Sequence, residues 1–85
     1  MRFVFNSDSW EEYLHWQSTN RKMTGKINAL LEDISRHPFT GLGKPELLKH
    51  DLAGFWSRRI DQEHRLVYRV TDDEIRVYSC KFHYD

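Results

Sequence analysis

Residues 55–82 read FWSRRIDQEHRLVYRVTDDEIRVYSCKF, and this stretch decides the fold class. Residues 55–60 and 66–70 are rich in aromatic and β-branched side chains, as strands typically are. The polar residues 71–74 form a turn signal, and residues 75–82 predict a final strand. Three strands joined by short polar connections predict an antiparallel meander.

A short strand and a helix are predicted at the start of the chain. Residues 2–5 carry an apolar run, and the polar segment NSDS at 6–9 is typical of a helix N-terminus. A capping box fits two pairs by their three-residue spacing, Asp8 with Glu11 and Ser9 with Glu12. The helix that follows would place three side chains on one face: Trp10, Tyr13 and Leu14.

The second helix is the clearest element, capped by residues 18–20 and stopped by Pro38. Its apolar side chains recur at helical spacing: Met23, Ile27, Leu30, Leu31 and Ile34. The short link between the helices predicts an antiparallel hairpin. The whole pattern predicts an α+β fold with an N-terminal strand, a two-helix hairpin and a three-stranded meander, the helices packed on one face of a twisted sheet.

Composition limits the classes of function. The chain has 85 residues, enough for one domain spanning 1–85 and no separate binding module. Thirteen basic and thirteen acidic residues leave no net charge, so nucleic acid would have to be attracted by a local patch or a large partner. A single cysteine, Cys80, excludes an internal disulfide and favours the cytoplasm. Neither a signal peptide nor a membrane span is expected.

Several chemistries lack their sequence signals. The histidines are scattered and one cysteine makes no zinc site, so neither a metal nor another cofactor is expected. The chain contains neither a G-x-S-x-G elbow nor a phosphate-binding P-loop. RNA cleavage without metal needs a base for the 2′-hydroxyl, an acid for the leaving oxygen and a cation for the phosphorus. Glu, His and Arg can supply these groups, although spacing alone does not select them.

Five short motifs stand in a specific order: KPE at 44–46, LKH at 48–50, GFWSRRI at 54–60, EHRLVY at 63–68 and HY at 83–84. Together with SWEEYLHWQ at 9–17, they make nearly the whole chain resemble the YoeB family of bacterial toxins, within the wider RelE-like toxins. The resemblance implies a RelE-like microbial ribonuclease fold and ribosome-dependent cleavage of mRNA in the decoding site. It also implies a YefM-type antitoxin, a homodimer, contact with operator DNA only indirectly through the antitoxin, and no membrane.

The motifs of the family assign roles to residues of this chain. Glu46 of KPE would be the general base, and Arg65 of EHRLVY would stabilise the phosphorane-like transition state. His83 would be the general acid and Tyr84 a positioning or stacking group. The implied reaction is transesterification by the 2′-hydroxyl, which leaves a 2′,3′-cyclic phosphate and a 5′-hydroxyl.

Lys49 and Arg59 fall at family positions expected to contact phosphate. A salt bridge from Arg59 to Asp61, or from Lys49 to Asp51, is the rival explanation for these charges. His50 and His64 are interpreted as structural or supporting residues. The three tryptophans are interpreted as packing residues, and Cys80 as a buried small hydrophobe.

Two positions depart from the family pattern. Leu47 follows Glu46 where the family commonly has a proline, and this leaves the direction of the glutamate less constrained. Asp85 follows HY where the chain often ends, and its carboxylates would favour protonated His83. Both departures are interpreted as changes that tune the site.

Strand register sets a condition on this site. A two-residue turn at Asp72-Asp73 would pair Arg65 with Cys80, which would put Arg65 and His83 on opposite faces of the sheet. The catalytic hypothesis therefore predicts a bulge, a longer loop or a bend near the end of the last strand.

Two other classes of function remain open. One is a non-enzymatic inhibitor, like the gyrase-poisoning relatives of this general fold, which typically lack the Glu, Arg and His set. The other is an inactive antitoxin-binding repressor partner, which Leu47 and Asp85 keep possible.

Overall fold

The computed structural model describes residues 1–82 and has an α+β fold of two helices and a five-stranded mixed sheet. The elements in chain order are β1 (Arg2–Phe5), α1 (Ser7–Thr19), α2 (Arg21–Arg36), β2 (Glu46–Leu47), β3 (Trp56–Arg59), β4 (Arg65–Val70) and β5 (Glu74–Ser79), with a 3₁₀ turn at His50–Leu52. The strand order is β1-β5-β4-β3-β2. Strand β1 is parallel to β5, and the other neighbours are antiparallel. The predicted fold class is confirmed.

Strand β2 was not predicted, because its two residues are exposed and too few to show an alternating pattern. It forms the edge of the sheet, with Glu46 opposite Ser57 and Leu47 opposite Trp56. A further backbone hydrogen bond, from Leu48 N to Phe55 O at 2.9 Å, extends this pairing. The segment that carries Glu46 is therefore part of the sheet rather than a free loop.

The first helix begins earlier than the predicted capping boxes require. Asn6 is the N-cap, and its side chain accepts a hydrogen bond from Ser9 N at 2.7 Å. The Ser9 hydroxyl accepts one in return from Asn6 N at 3.0 Å, which completes a capping box. The boxes expected at Asp8 and Ser9 are wrong, since the helix starts directly after β1.

The core lies between the helices and one face of the sheet. Helix α2 buries the five residues predicted from its periodicity. Helix α1 buries Trp16, and of its predicted face only Tyr13 packs against the core, where it is partly buried. Trp10 and Leu14 are 46% and 40% exposed. The strands, together with the residues that directly follow β3 and β5, contribute six buried residues to this core: Ile60, Leu66, Tyr68, Ile75, Val77 and Cys80. The Trp16 indole also donates to Cys80 O at 2.9 Å, which ties α1 to the end of β5.

The pairing of β4 with β5 contains the predicted irregularity. Tyr68 is opposite Val77, whereas Val67 is opposite Ser79, so Tyr78 is an extra residue on β5. Strand β5 ends at Ser79, and the expectation that it continues to residue 82 is wrong. Beyond it, Phe82 adopts a left-handed φ of 62°, which a continuing strand does not allow.

Candidate active site

Alternation along the strands places three candidate residues on one side of the sheet. Glu46 pairs with Ser57, and Arg59 lies two residues further along β3 and pairs with Arg65. Directly paired residues, and residues two apart in a strand, share a face. Glu46, Arg59 and Arg65 therefore project from the side opposite the helices, called here the outer face. From strand spacings, the Cα atoms of Glu46 and Arg65 are about 12 Å apart, a gap that two side chains and a phosphodiester can span.

A close approach between Gly43 and β3 holds the segment before Glu46. Arg59 N donates to Gly43 O at 2.7 Å, and Gly43 has a φ of 79°. A Cβ at this position would lie 2.9 Å from both Arg59 O and Leu30 Cδ2, so only glycine fits without movement. The backbone leading to the exposed Glu46 is thus set against the strand that carries Arg59.

Arg65 is held by carbonyl oxygens instead of a carboxylate. Its Nη1 donates to Asp61 O at 2.8 Å, His64 O at 3.1 Å and Gln62 O at 3.4 Å. Among residues 1–82 it forms no salt bridge, so its charge is oriented by the β3–β4 turn without being neutralised. Such a guanidinium can stabilise a phosphate that gains negative charge.

The β3–β4 turn also holds the chain just before His83. Arg65 N donates to Phe82 O at 2.8 Å, and Phe82 N donates to His64 Nδ1 at 2.7 Å. Both backbone polar groups of Phe82 are therefore occupied, while its side chain is 58% exposed. Phe82 is thus anchored through its backbone. The other two catalytic candidates, His83 and Tyr84, lie outside the described residues, as does Asp85.

The two predicted phosphate ligands differ in position. Arg59 lies on the outer face beside Arg65, whereas Lys49 lies beyond β2, as the N-cap residue of the 3₁₀ turn. Both are exposed, and within residues 1–82 neither forms the rival salt bridge to Asp61 or Asp51. The strand register places Arg59 on the same face as Glu46 and Arg65, whereas Lys49 lies outside the paired strands.

Asp61 organises the turn that supports Arg65. Its carboxylate accepts hydrogen bonds from the backbone N–H groups of His64 at 2.7 Å and Glu63 at 2.8 Å. Desolvation raises the pKa of Asp61, but these two backbone bonds outweigh it and hold the pKa below its ordinary value. Asp61 therefore stabilises the β3–β4 turn and is not the ion-pair partner of Arg59.

Sequence reasoning missed the structural role of Arg58. This residue is fully buried on the helix side, where its guanidinium meets the Asp33 carboxylate at 2.6 Å and the Tyr68 hydroxyl at 3.1 Å. It also donates to three carbonyls of the loop after α2: His37, Thr40 and Leu42. Its place between Trp56 and Ile60, both core positions, was the available sequence signal. The ion pair of Arg58 with Asp33 therefore holds the loop between α2 and Glu46 against the sheet.

Two structural findings bear on other chemistries. Within residues 1–82, no three or more His, Cys, Asp or Glu side chains are grouped so that they could hold a metal ion. Cys80 is fully buried, and burial raises the pKa of its thiol to about 12, which suits a packing residue rather than a nucleophile.

Neither helix in the described chain is long and apolar enough to cross a lipid bilayer.

Sequence comparison places the chain beside bacterial toxins. The family model described as "YoeB-like toxin of bacterial type II toxin-antitoxin system" matches residues 5–84. Toxin YoeB of Escherichia coli K12 is 54% identical over 84 residues, which cover 99% of this chain and all of the relative. Toxin YoeB of Streptomyces coelicolor is 55% identical with the same coverage.

Solved structures show the same relationship. The YoeB/ParE toxin from Agrobacterium tumefaciens superposes with a TM-score of 0.96 at 51% identity, covering 99% of this chain and 100% of that one. Escherichia coli YafQ, at 16% identity and a TM-score of 0.80 over 98% and 94% of the two chains, shares the fold alone. With nearly full-length matches in both sequence and structure, the chain belongs to the family of YoeB-like toxins of bacterial type II toxin-antitoxin systems.

Proposed function

We propose that this toxin is a metal-independent, ribosome-dependent endoribonuclease that cuts mRNA in the decoding site and so inhibits translation. The observation that carries the proposal is the presence on one face of the sheet of a carboxylate, Glu46, and two arginines, Arg59 and Arg65, that have no acidic partner among residues 1–82. A base and a fixed cation on one surface are what 2′-hydroxyl transesterification requires.

In this mechanism Glu46 takes the proton from the 2′-hydroxyl, which attacks the adjacent phosphorus. Arg65 stabilises the negative charge on the pentacoordinate phosphorus, and Arg59 and Lys49 bind neighbouring phosphates. His83 gives a proton to the departing 5′-oxygen, and Tyr84 positions or stacks on the substrate. The bond from phosphorus to the 5′-oxygen breaks, leaving a 2′,3′-cyclic phosphate and a 5′-hydroxyl. No cofactor takes part.

Charge on the outer face supports RNA as the substrate despite the neutral chain. In strands β2 to β5, this face carries four arginines: Arg59, Arg65, Arg69 and Arg76. Within the same strands only two acids share this face, Glu46 and Glu74, and Glu74 pairs with Arg76 at 3.0 Å. Arg58, by contrast, is neutralised by Asp33 on the other side. The local excess of positive charge supplies the patch that phosphate binding requires.

The partners follow from relatives of known assembly. Staphylococcus aureus provides structures described as a YoeB-YefM complex and a YoeB dimer, with TM-scores of 0.93 and 0.94 to this chain at 48% and 47% identity. Each comparison covers 99% of this chain and 98% of the relative. We therefore propose a YefM-type antitoxin and a homodimer, with operator DNA reached only through the antitoxin. The toxin would act in the cytoplasm on ribosomes and mRNA.

The test is cleavage of a defined mRNA held on stalled ribosomes, beside the same mRNA free in solution, with mapping of the end groups. The proposal expects cuts that depend on the ribosome and leave a 5′-hydroxyl. Glu46→Ala and His83→Ala should abolish them, while Arg36→Ala, in an exposed helical ion pair, should cut like the parent. A folded sample that cuts in neither setting would reject the ribonuclease and favour a non-enzymatic toxin.

A further inference from the structure

We propose that His64 is a positioning residue whose neutral ring holds the chain entering His83, so that protonation of His64 switches cleavage off. The proposal rests on the function proposed above, because it assigns His64 an effect on the general acid. Its physical basis is one hydrogen bond, from Phe82 N to His64 Nδ1 at 2.7 Å. Phe82 directly precedes His83 in the chain.

The environment of His64 fixes the ring in one orientation. The residue is only 9% exposed, and its ring lies edge-on to Trp16 with the ring centroids 4.8 Å apart. The Phe82 ring covers it on another side, with the centroids 5.7 Å apart. Its backbone is held as well, because His64 N donates to Asp61 and His64 O accepts from Ile60 N at 2.9 Å. A ring held in this way presents Nδ1 to a single donor.

This bond requires one protonation state. Nδ1 can accept from Phe82 N–H only when it carries no proton, so neutral His64 must have its proton on Nε2. Nε2 lies 3.8 Å from the carboxylate of Glu63, whose side chain is 64% exposed. A protonated ring would turn an N–H toward the Phe82 N–H, and the two donors would repel each other. The imidazolium would then move toward Glu63 and release Phe82.

The charged groups around His64 come from several elements. Asp61 and Glu63 belong to its own turn, and Arg65 follows it. From the segment after β5, the Lys81 ammonium lies over the rings of Trp16 and Phe82, at 6.0 and 5.1 Å from their centroids. From α1, His15 contacts the Trp16 ring on which His64 packs. None of these groups can replace Nδ1 as the acceptor for Phe82 N, since that contact belongs to the His64 ring alone.

The consequence for activity is a pH profile with two limbs of opposite sense. General-acid catalysis by His83 weakens as pH rises. As pH falls, protonation of the base Glu46 lowers activity, and positioning by His64 fails in addition when its ring gains a proton. A displaced general acid lowers kcat more than substrate binding, because substrate phosphates are held by other groups. A purely structural His64 would affect stability and would leave the shape of the pH profile unchanged.

The first experiment is NMR of the free toxin, which needs no activity. The imidazole nitrogen shifts of His64 should show an Nε2–H tautomer at neutral pH, and the Phe82 amide should be protected from exchange. Both signals should change together as the ring is protonated. An Nδ1–H tautomer, or a Phe82 amide that exchanges freely at neutral pH, would overturn the proposal. This result does not depend on whether the toxin cleaves RNA.

The second experiment compares His64→Asn, His64→Gln and His64→Leu in the ribosome cleavage assay. The Asn side chain can place an oxygen near the position of Nδ1, whereas Gln places one near Nε2 and Leu offers none. Gln and Leu should lower kcat by about 10- to 100-fold with KM nearly unchanged, and Asn should recover most of that loss. The acid limb should also be weaker in the Asn variant than in the parent, because only the protonation of the base Glu46 then remains.

The control is His37→Asn, which alters an exposed histidine and should keep both limbs. Thermal unfolding of each variant separates loss of fold from loss of positioning. The proposal fails if His64→Leu keeps the kcat of the parent, or if the acid limb of His64→Asn is the same as that of the parent. If the parent itself cuts no RNA, the proposed function fails, and the NMR result still decides whether the His64–Phe82 bond exists.

Discussion

Arg58 and Arg59 are neighbours in one strand, yet they lie in opposite environments. Arg58 faces the helices, where Asp33, Tyr68 and three carbonyls surround its fully buried guanidinium. Arg59 is exposed on the outer face, beside Arg65 and without a salt bridge among residues 1–82. Strand alternation separates the two roles: a neutralised arginine holds the fold together, and an unpaired one remains free for an anionic substrate.

The strongest way to sharpen this comparison is to remove the cation at the centre of the outer face. Arg65→Ala should lower single-turnover cleavage by about 10²- to 10³-fold, as expected when one group that stabilises transition-state charge is lost. Arg65→Lys should recover little, because an ammonium cannot reproduce the fork held by the 61–64 carbonyls. Cleavage by either variant at the parental rate would remove Arg65 from the mechanism.

The matched pair Arg58→Ala and Arg59→Ala tests the comparison directly. Arg58→Ala should reduce the free energy of unfolding by about 3 kcal/mol or more, because it leaves buried carbonyl acceptors unpaired and removes the cation that neutralises the Asp33 carboxylate. Arg59→Ala should change it by less than about 0.5 kcal/mol while weakening mRNA cleavage. Urea unfolding and the ribosome assay measure the two effects. Equal stability losses would contradict the division of roles.

Low pH should reduce the stability that the Arg58–Asp33 pair contributes on the helix side of the sheet. The hydrogen bond from Arg58 holds the pKa of Asp33 below its ordinary value of 3.8. A depressed carboxyl pKa contributes stability above the unfolded value, and that contribution is lost as pH falls through the folded pKa. The free energy of unfolding should therefore decline below about pH 4. Asp33→Asn should be less stable at pH 7 and show a shallower acid decline, and parallel curves for parent and variant would refute the assignment.

The prediction with the least bearing on function concerns the only thiol, which lies on the helix side of the sheet. Burial raises the pKa of Cys80 from 9.0 to about 12, which lowers the thiolate fraction by roughly 10³-fold. Iodoacetamide should therefore label the native toxin far more slowly than the urea-unfolded chain. The rate of labelling can be measured by mass spectrometry. Rapid labelling of the native protein would show that this side opens to solvent.

Much of the architecture could be predicted from local patterns. The second helix is encoded in the spacing of Met23, Ile27 and Leu30, and Asn20 caps it as expected. Aromatic and β-branched runs located β3, β4 and β5 within a few residues. The register argument on Arg65 predicted an irregularity, and the bulge at Tyr78 confirms it. Where no periodic signal existed, as at β2, prediction failed because two exposed residues leave no pattern.

Part of the candidate site could be predicted as well, and part could not. The motifs nominated Glu46, Arg59 and Arg65, and the sheet register brings these three to one face. Lys49 came from the same motifs, but it lies beyond the shared strands. The motifs assigned no role to Arg58. Its position two residues from both Trp56 and Ile60, which lie in the core, could have predicted that its side chain is buried. They also left His64 as a supporting residue without a stated contact.

By itself, the sequence determined the α+β class, the family and the residue types available for chemistry, because periodicity and motif order are properties of neighbouring residues. Only the tertiary structure decided which charges are neutralised and which are free. Arg58 meets Asp33 across 25 positions, and His64 meets Phe82 across 18. Such pairs depend on strand register and on how the loops pack, and these arise only when distant segments compete for the same hydrogen bonds in a folded core.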